Sequence, residues 1–479
     1  MDSQVLADMV EVLLESREDY RPHQVIVLRN GEIVLNLTFH PFSHGSRHGI
    51  ASIGKTITST LIGIAIDQGF IASVDEPVLS FFPGWAIANR DERKESMTIA
   101  HLLAQRSGIY HGDDGSHSAE DAAMTASPDW IQWILDQPMA SEPGGEYYYS
   151  NANLHLANGV LVQATEMTPR EFAQEYLYGP LRITCAIWPE DPQGINYGHG
   201  GQVLLPHDLA KIGVLFLRGG QWMGEQVVST EWVNLATSGY PGPPPPGWSP
   251  EWSFGFAWAV NSQQGFVETA GSGGQVMRLV RDDDLVLMSV AGGGSAYNAC
   301  GRNGAIINDV LNDYVTRSIL SSSALAPNPQ GVARLASLID EAALAADGSP
   351  QPVPPLPAVA DSISGVRFVL EANPVPLDWV TLTFPGGSEA ILEYQTTEPI
   401  SISVGLDGVP RVSPGESGLP EAAKGWWEDD SRFVILLDRP ALYGYLRAEL
   451  VYEGDDVTIT LHDLACGEPA VTLSGHIQR

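Results

Sequence analysis

Basic residues are scarce in this chain of 479 residues, which carries 25 Lys and Arg against 58 Asp and Glu and a formal net charge of −33 at pH 7. A surface of this sign repels polyanions, so the composition argues against a nucleic-acid-binding protein and against attachment to an acidic membrane. Hydrophobic residues make up 44% of the chain, which is enough to build folded cores. We therefore expect a small-molecule partner, and the composition leaves the oligomeric state open.

Cysteine and long apolar runs are also lacking. The three cysteines, Cys185, Cys300 and Cys466, lie far apart, which argues against a disulfide framework and against a paired-cysteine metal site. No apolar run reaches the length of a membrane span. The first twenty residues carry acids among their apolar positions, which is typical of an amphipathic helix rather than a secretory signal. These features predict a cytoplasmic protein.

Periodicity in the first two thirds of the chain predicts a mixed domain. Two β-rich runs flank Asn30-Gly31, the signal of a hairpin with a type I′ turn. Apolar helices are predicted from Ile53 to Gly69, in 97–109 and in 208–220, and strands in 253–260, 275–281 and 284–293. Strands at both ends with helices between them indicate an α+β domain whose sheet joins the two ends.

The composition changes near residue 318. A helix is predicted over 331–346, followed by the proline-rich segment "DGSPQPVPPLPAV", and short β-type runs separated by turns follow from 361 onward. We predict a domain over residues 1–317, a helix and linker over 318–360, and a small all-β domain over 361–479.

One of only four lysines lies in the most apolar helix. Lys55 follows Ser52 by three residues, a spacing that puts both side chains on one helix face. A serine hydroxyl needs a base to become a nucleophile, and a lysine amine can accept its proton only when uncharged, the form that burial favours. The pair alone is a weak signal, because an N-cap serine beside a snorkelling lysine has the same spacing.

Two further elements add to the pair. Tyr149-Ser150-Asn151 precedes another apolar helix, where a tyrosine could relay a proton and an asparagine amide could hold a substrate carbonyl. The alternative is an aromatic turn followed by an N-cap. The segment "ETAGSGGQVMRLV" opens a strand with glycines and could offer a backbone N–H to an oxyanion, or could simply be a glycine-rich hairpin.

In this order the three elements resemble the serine β-lactamase and penicillin-binding-protein superfamily. The resemblance covers roughly residues 20–310. Within the superfamily, this part of the sequence resembles the class C-like branch, which includes family VIII esterases, D-amino-acid peptidases and 6-aminohexanoate-dimer hydrolases. It is carried by "SIGKTITSTLIGIAIDQG", "MTIAHLLAQRSGI", "EPGGEYYYSN", "DPQGINYGHGGQ" and "AGSGGQ". It implies an α+β, β-lactamase-like fold: an antiparallel sheet flanked by helices plus an all-helical subdomain, here with a C-terminal all-β domain.

The resemblance also implies residue roles. Ser52 would be the acylated nucleophile, Lys55 its base and Tyr149 the proton relay. Asn151 would contact the substrate amide. The remaining binding positions follow from aligning Thr269-Ala270-Gly271 with the family's Lys-Thr-Gly element, which makes the Ser272 N–H an oxyanion donor and places Gly271, Ser272 and Gly273 at the site. No metal and no organic cofactor is implied.

Two positions depart from the family pattern. Thr269 stands where β-lactamases and transpeptidases keep a lysine or histidine, so a β-lactam carboxylate loses its best charge-assisted hydrogen bond. Gly54 replaces the usual threonine or serine before the lysine. A Gly-x-Ser-x-Gly run is absent from the sequence, which argues against an α/β-hydrolase.

These observations predict a serine hydrolase that acts through an acyl-enzyme on small carboxylic esters or on linear or D-type amides. The alternatives left open are a β-lactamase or D,D-peptidase, an acyltransferase, and a non-hydrolytic penicillin-binding sensor.

Three other segments have weaker signals. His40, His44 and His48 have the spacing of helical metal ligands but lie among Pro and Gly, so a loop without metal is predicted. The proline-rich segment 240–250 either walls the cleft or links two elements, and we favour the wall. The sequence "HGDDG" at 111–115 is predicted to be a solvated turn.

Overall fold

The computed structural model describes residues 1–17, 21–110, 117–185, 187–293, 303–344, 350–442, 444–464 and 469–478. The described residues form two main sheets, each with its own hydrophobic core. Among them, no helix is long and apolar enough to cross a membrane.

The first sheet is antiparallel and has seven strands in the order β2-β1-β11-β10-β9-β8-β7. Strand β1 pairs with β11, so the sheet unites the two ends of the domain as predicted. The β1–β2 hairpin turns at Asn30 (φ 54°) and Gly31 (φ 79°), the two positive values that a type I′ turn requires. The strands of this part of the chain are β1 (Pro22–Arg29), β2 (Glu32–Thr38), β3 (His48–Gly49), β4 (Val203–Leu204), β5 (Gln221–Trp222), β6 (Glu225–Gln226), β7 (Trp252–Phe254), β8 (Ala259–Asn261), β9 (Phe266–Gly271), β10 (Gln275–Val280) and β11 (Leu285–Ala291).

Helices cover both faces of this sheet. On one face α10 packs on β10 and β11, and α2 and α7 pack on each other within the larger core. On the other face α1 packs against α12 and α13 over β1, β2 and β11. The helices are α1 (Ser3–Glu15), α2 (Gly54–Asp67), α3 (Glu92–Ser96), α4 (Ile99–Leu103), α5 (His117–Thr125), α6 (Trp130–Asp136), α7 (Asn151–Thr165), α8 (Pro169–Ala173), α9 (Gly179–Leu181), α10 (Pro206–Leu217), α11 (Thr230–Ala236), α12 (Asn303–Ser318), α13 (Pro329–Ala342) and α14 (Ala358–Ile363).

Two sequence predictions for this part differ from the structure. The run 253–260, predicted as a strand, is divided into β7 and β8 by a turn in which Ala257 has φ 64°, a value that an extended strand does not allow. The helix predicted in 97–109 is only α4, because Gln105 (φ 59°) and Gly108 (φ 77°) turn the chain after it.

The C-terminal part is a ten-stranded sheet in the order β15-β14-β13-β12-β21-β20-β19-β18-β17-β16, and β15 also pairs in parallel with β17. That extra pairing closes the sheet into a barrel-like all-β domain. The β-lactamase-like α+β fold with a C-terminal all-β domain is thus confirmed. Its strands are β12 (Arg367–Leu370), β13 (Trp379–Thr383), β14 (Glu389–Gln395), β15 (Pro399–Gly405), β16 (Arg411–Pro414), β17 (Pro420–Trp427), β18 (Arg432–Arg439), β19 (Gly444–Glu453), β20 (Asp456–Asp463) and β21 (Val471–Ile477).

A buried polar cluster joins the barrel to the first sheet. Asp438 of β18 forms an ion pair with Arg21 and lies 3.2 Å from His23 Nε2, and Arg21 lies 3.3 Å above the ring of Tyr445. The second imidazole nitrogen of His23 is 2.9 Å from His48 Nε2. His48, in strand β3, lies four residues before Ser52 in the sequence, so the cluster reaches close to the predicted nucleophile.

Apolar side chains complete this contact between the domains. Leu419 and Ala441 of the barrel pack with Val203 and the half-buried Ile187. The boundaries predicted at 317 and 360 stay predictions. Helix α13, inside the predicted linker segment, packs on α1 of the first domain.

Candidate active site

Ser52, Lys55 and Tyr149 meet in the structure. Lys55 Nζ lies 3.0 Å from Ser52 Oγ, and the Tyr149 hydroxyl lies 2.7 Å from the same oxygen. The Lys55 amine also lies 4.7 Å from the centre of the Tyr149 ring. The serine oxygen is therefore within hydrogen-bond distance of both the predicted base, Lys55, and the predicted proton relay, Tyr149.

The local backbone brings Ser52 and Lys55 together. Ser52 lies in a 3₁₀ turn, Ala51–Ile53, that leads directly into α2. In a 3₁₀ turn, residues three apart eclipse each other, which shortens the gap between their side chains. Ala51, immediately before the nucleophile, has φ 46°, a left-handed conformation that is strained for alanine.

Lys55 is buried, with 2% of its surface exposed. Its amine donates to the backbone carbonyl of His199 over 3.0 Å, in addition to its contact with Ser52. Among the described residues, no carboxylate lies within ion-pair distance of the Lys55 nitrogen. The amine is therefore held between the Ser52 hydroxyl and one backbone carbonyl.

The segment around His199 is a part of the site that the sequence reasoning missed. Gly198 is fixed from two sides, because Thr58 Oγ1 donates to its carbonyl over 2.8 Å and its own N–H lies 3.4 Å from His155 Nδ1. His155 in turn lies 3.0 Å from the buried Asp191 carboxylate. A backbone carbonyl leaves no signature in a sequence, although the glycines that flank His199 were a signal of close backbone approach.

The imidazole of His199 does not compete for the lysine proton. Burial and the neighbouring Lys55 hold the pKa of His199 well below its ordinary value. The ring is therefore neutral near pH 7, and its Nδ1 is buried without a hydrogen-bond partner in the described part of the chain.

Gln105 holds the segment that positions Tyr149, and it too was missed. Its side-chain amide accepts from the Ser150 N–H over 2.9 Å and donates to the Ser150 carbonyl over 3.0 Å. Ser150 caps α7 by accepting from the Asn153 N–H over 3.2 Å, and its hydroxyl donates to Glu120 over 2.8 Å. Tyr149 thus precedes a residue whose backbone and side chain are both fixed.

The structure explains why a glycine, Gly54, stands directly before Lys55. A Cβ on Gly54 would lie 2.1 Å from Gln202 Oε1 and 2.6 Å from the Cα of Gly200. Both distances are shorter than any real contact, so a threonine or serine cannot occupy this position in the present backbone. The side chain of Gln202 therefore takes the space that the usual residue would need.

Strand β9 ends against the 3₁₀ turn that contains Ser52. A Cβ on Gly271 would lie 2.8 Å from the Ser52 nitrogen, so only glycine lets the strand approach this closely. Ser272 and Gly273 follow in the turn to β10, and Gln275 donates to the Ser272 carbonyl over 3.1 Å and to the Ala291 carbonyl over 2.8 Å. Gly271 therefore lies beside Ser52, and Gln275 is an additional residue that fixes the turn containing Ser272 and Gly273.

Strand β9 is internal to the sheet, but its last residues lack a neighbour on one side. Its partner β8 pairs only with Phe266 to Glu268. The backbone from Thr269 to Gly271 is consequently unpaired by β8.

Asn151 and Thr269 have different surroundings. Asn151 begins α7, and its Oδ1 is buried without a partner among the described residues, which leaves an acceptor for an incoming N–H. Thr269 is 5% exposed, and its Oγ1 lies 2.8 Å from Thr56 Oγ1. The position that carries a cation in β-lactamases is thus a neutral hydroxyl engaged with α2.

A buried arginine joins two loops near the site. Arg106 donates to the carbonyl of Gly145, ahead of Tyr149, and over 2.6 Å to the carbonyl of Pro243 in the proline-rich segment. In the same loop Trp248 lies 6.4 Å from the ring of Tyr147. The segment 240–250 is therefore attached to the Tyr149 segment, and its role as a cleft wall stays a prediction. The segment 111–115 lies outside the described residues.

The three histidines of 40–48 contact different groups. His48 bonds to His23, and His44 Nδ1 lies 2.7 Å from Thr38 Oγ1. His40 is followed by a cis bond to Pro41 and donates its backbone N–H to Ala342. In the described part of the chain, no group of three or more His, Cys, Asp or Glu side chains is placed so that it could hold a metal ion.

Comparison with known proteins identifies the family of the chain. A family model described as Beta-lactamase matches residues 14–296. The 6-aminohexanoate-dimer hydrolase of Paenarthrobacter ureafaciens is 24% identical over 309 residues, which are 60% of this chain and 76% of the relative.

Two solved structures share the fold. EstCE1, a hydrolase with promiscuous acyltransferase activity, has a TM-score of 0.55 at 17% identity over 64% of this chain and 99% of its own. SurE, solved with D-Leu, has a TM-score of 0.51 at 15% identity over 92% of this chain and 98% of its own, so that similarity extends into the C-terminal β-domain. With the matched family model spanning more than half of its residues, this chain belongs to the β-lactamase family.

Proposed function

We propose that the protein is a serine hydrolase that acts through an acyl-enzyme on small carboxylic esters or on linear or D-type amides. The observation that carries the proposal is the position of Ser52 Oγ, 3.0 Å from the Lys55 amine and 2.7 Å from the Tyr149 hydroxyl. The proposal places the activity in the class C-like branch of the family.

In the first half-reaction, Ser52 Oγ attacks the substrate carbonyl carbon while its proton passes to the uncharged Lys55 amine. The negative charge that forms on the carbonyl oxygen is stabilised by the N–H groups of Ser52 and Ser272. Tyr149 then delivers a proton to the leaving alcohol or amine as the bond between that group and the carbonyl carbon breaks. The products of this step are the free leaving group and an ester on Ser52.

In the second half-reaction, water attacks the ester carbonyl and gives up a proton to the Lys55 and Tyr149 pair. The bond to Ser52 Oγ breaks, the serine regains its proton, and the carboxylic acid leaves. No metal or organic cofactor has a step in this sequence. The partner is a small ester or amide, and a cytoplasmic location remains a prediction from composition.

Two observations support esters and linear amides over β-lactams. The neutral Thr269 hydroxyl is engaged with Thr56, so it offers no cation to a β-lactam carboxylate. A curated relative is named for hydrolysis of the 6-aminohexanoate dimer, and a structural neighbour is a hydrolase with acyltransferase activity. Asn151, with its unpartnered acceptor, would contact the amide or ester linkage.

The test is a parallel screen of p-nitrophenyl esters, 6-aminohexanoate oligomers, D-amino-acid amides and nitrocefin, combined with mass spectrometry of the quenched enzyme. We expect turnover of an ester or linear amide, with the acyl group on the peptide that contains Ser52. Nitrocefin turnover equal to that of the best ester would favour a β-lactamase, and a stable adduct without turnover would favour a sensor. Transfer to an added alcohol in place of water would favour an acyltransferase.

A further inference from the structure

The barrel contains a cavity of about 360 Å³ that is distinct from the candidate active site. Its walls are aliphatic side chains that point inward from five strands, among them Val380, Leu392, Ile435, Leu450 and Ile459. A cavity of this size falls within the range of small-ligand sites, and a β-barrel is a common scaffold for one.

The cavity is closed at one end and open at the other. At the closed end an aromatic cluster fills the barrel, with Phe368 packed 5.4 Å from Tyr452 and Trp427 packed 5.2 Å from Phe433. At the other end the lining includes the exposed residues Pro376 and Thr397. A ligand would therefore enter with its apolar end first, and that end would lie toward the aromatic cluster.

The open end is polar, and its charges are already paired. Arg439 contacts Glu416 over 3.0 Å and Glu421 over 3.1 Å, and the Tyr394 hydroxyl donates to Glu421 over 3.1 Å. One cation thus faces two carboxylates, so the rim is not a site for an anionic head group. Burial and the neighbouring Glu421 raise the pKa of Tyr394, which keeps its hydroxyl protonated as a donor.

One polar atom at this end is unused. Thr396 Oγ1 is buried without a hydrogen-bond partner among the described residues, although Thr396 lines the cavity. A hydroxyl both donates and accepts, so it can pair with an uncharged alcohol or amide group. The polar partner that best fits this rim is therefore neutral.

We propose that the barrel binds a neutral aliphatic molecule with a single hydroxyl or amide head group, held with its chain inside the cavity and its head at Thr396. Since a cavity of ~150 Å³ holds the six heavy atoms of benzene, a cavity of about 360 Å³ would hold roughly fourteen heavy atoms. The binding site is separate from the catalytic machinery, and the proposal does not depend on the proposed function.

The experiment is a calorimetric titration of the full chain with 1-octanol, compared with octanoate and octylamine at pH 7. We expect saturable 1:1 binding of 1-octanol, with octanoate at least tenfold weaker because its carboxylate meets Glu416 and Glu421. Equal or tighter binding of octanoate or octylamine would overturn the neutral-head assignment. The Ser52→Ala variant should bind 1-octanol with unchanged affinity, whereas loss of binding there would move the ligand to the cleft.

The matched variants lie on the two faces of β19. Ala448→Phe fills the cavity and should reduce 1-octanol affinity at least tenfold, whereas Val451→Phe places the same ring on the other face and should leave affinity unchanged. Thermal unfolding checks that both fold, and Ala448→Val serves as a milder filling that should weaken binding if Ala448→Phe does not fold. Unchanged affinity in a folded cavity-filled variant would refute the proposal.

Discussion

In the proposed mechanism Ser52 and Lys55 act on the same proton, so the losses caused by replacing them should not add. We expect Ser52→Ala and Lys55→Ala each to lower kcat/KM by at least about a thousandfold, with the double variant scarcely worse than either single one. Initial rates on the best substrate of the screen measure this, and circular dichroism checks the fold. Multiplicative losses in the double variant would remove Lys55 from the role of base.

Gly54 should tolerate no side chain. We expect Gly54→Ala to lower the free energy of unfolding by about 1–3 kcal/mol, since its Cβ would collide with Gln202 and with the backbone of Gly200. Activity should fall as well, because the turn that carries Ser52 must shift. The matched control is Gly45→Ala, whose Cβ would come no closer than 3.8 Å to Ser43 Oγ.

At the scale of single residues, the sequence predicts those parts of the site that are side chains with distinctive chemistry. Ser52, Lys55 and Tyr149 could be proposed because a lysine in an apolar helix is unusual, and the structure brings the three together. The roles of the His199 carbonyl and of the limited space near Gly54 could not be predicted from the sequence, because both depend on where a distant backbone segment passes. Gln105 was missed because a buried glutamine in a turn has no pattern of its own.

Among the elements, the turn from β9 to β10 depends on Gln275. Replacing its amide with the similar volume of methionine removes the bonds to the carbonyls of Ser272 and Ala291. We expect Gln275→Met to lower kcat about ten- to a hundredfold with little change in KM, because a displaced Ser272 N–H stabilises the transition state less than it does in the wild type, while binding of the ground state is nearly unchanged.

A purely structural role for Gln275 would give a different result. In that case the variant would lose thermal stability while its remaining folded fraction kept the wild-type kcat. Gln275→Glu is a useful second variant, since it keeps an acceptor for the Ala291 N–H but loses the donor to Ser272. Recovery of kcat in Gln275→Glu would contradict the assignment.

The sequence predicts long elements better than short ones. Helix α10 and strands β10 and β11 lie where apolar periodicity predicts them, because each buries one continuous face. The run 253–260 is apolar throughout, and that composition hides the turn at Ala257. In the barrel, strands β14, β16, β17 and β21 have a weak sequence signal, since their half-buried faces alternate with polar residues and proline.

For the whole molecule, the buried cluster between the domains should make stability depend on pH. Burial lowers the pKa of His48 from 6.5 to about 3. Between these values the unfolded chain binds a proton that the folded chain does not, so His48 contributes stability above pH 6.5 that is lost as the pH falls. The slope is about 1.4 kcal/mol per pH unit for one proton.

His48→Gln should therefore make the pH dependence of unfolding shallower between pH 6.5 and 4.5. The free energy of unfolding at several pH values, followed by tryptophan fluorescence in denaturant, measures this. The exposed His476→Gln controls for the loss of a histidine. Protonation of Asp438 should also destabilise the folded protein, at lower pH than protonation of His48. Burial raises the pKa of the Asp438 carboxyl, but His23 and Arg21 lower it by more. The stabilisation that these two neighbours provide is lost when the carboxyl is protonated. An unchanged slope in His48→Gln would disprove the assignment.

The architecture of the molecule was only partly open to prediction from sequence. The two-part organisation follows from the change in composition near residue 318 and the proline-rich segment after it. The closure of the barrel through β15 and β17 and the contact of Asp438 with Arg21 join residues far apart in the chain. Pairings of this kind have no local signal, because each partner looks like an ordinary strand residue or surface charge.

The pairing of β1 with β11 has a consequence for how the chain is made. Residues 22–29 can pair early with β2, but their partners on the other side, residues 285–291, are made much later, so during synthesis the β1–β2 hairpin leaves the ribosome long before it can join the rest of its sheet. Contacts of such long sequence separation slow folding and keep apolar strands exposed in the meantime. A nascent chain halted before residue 285 should therefore be bound by chaperones and cut readily by proteases, whereas one that has passed it should resist both.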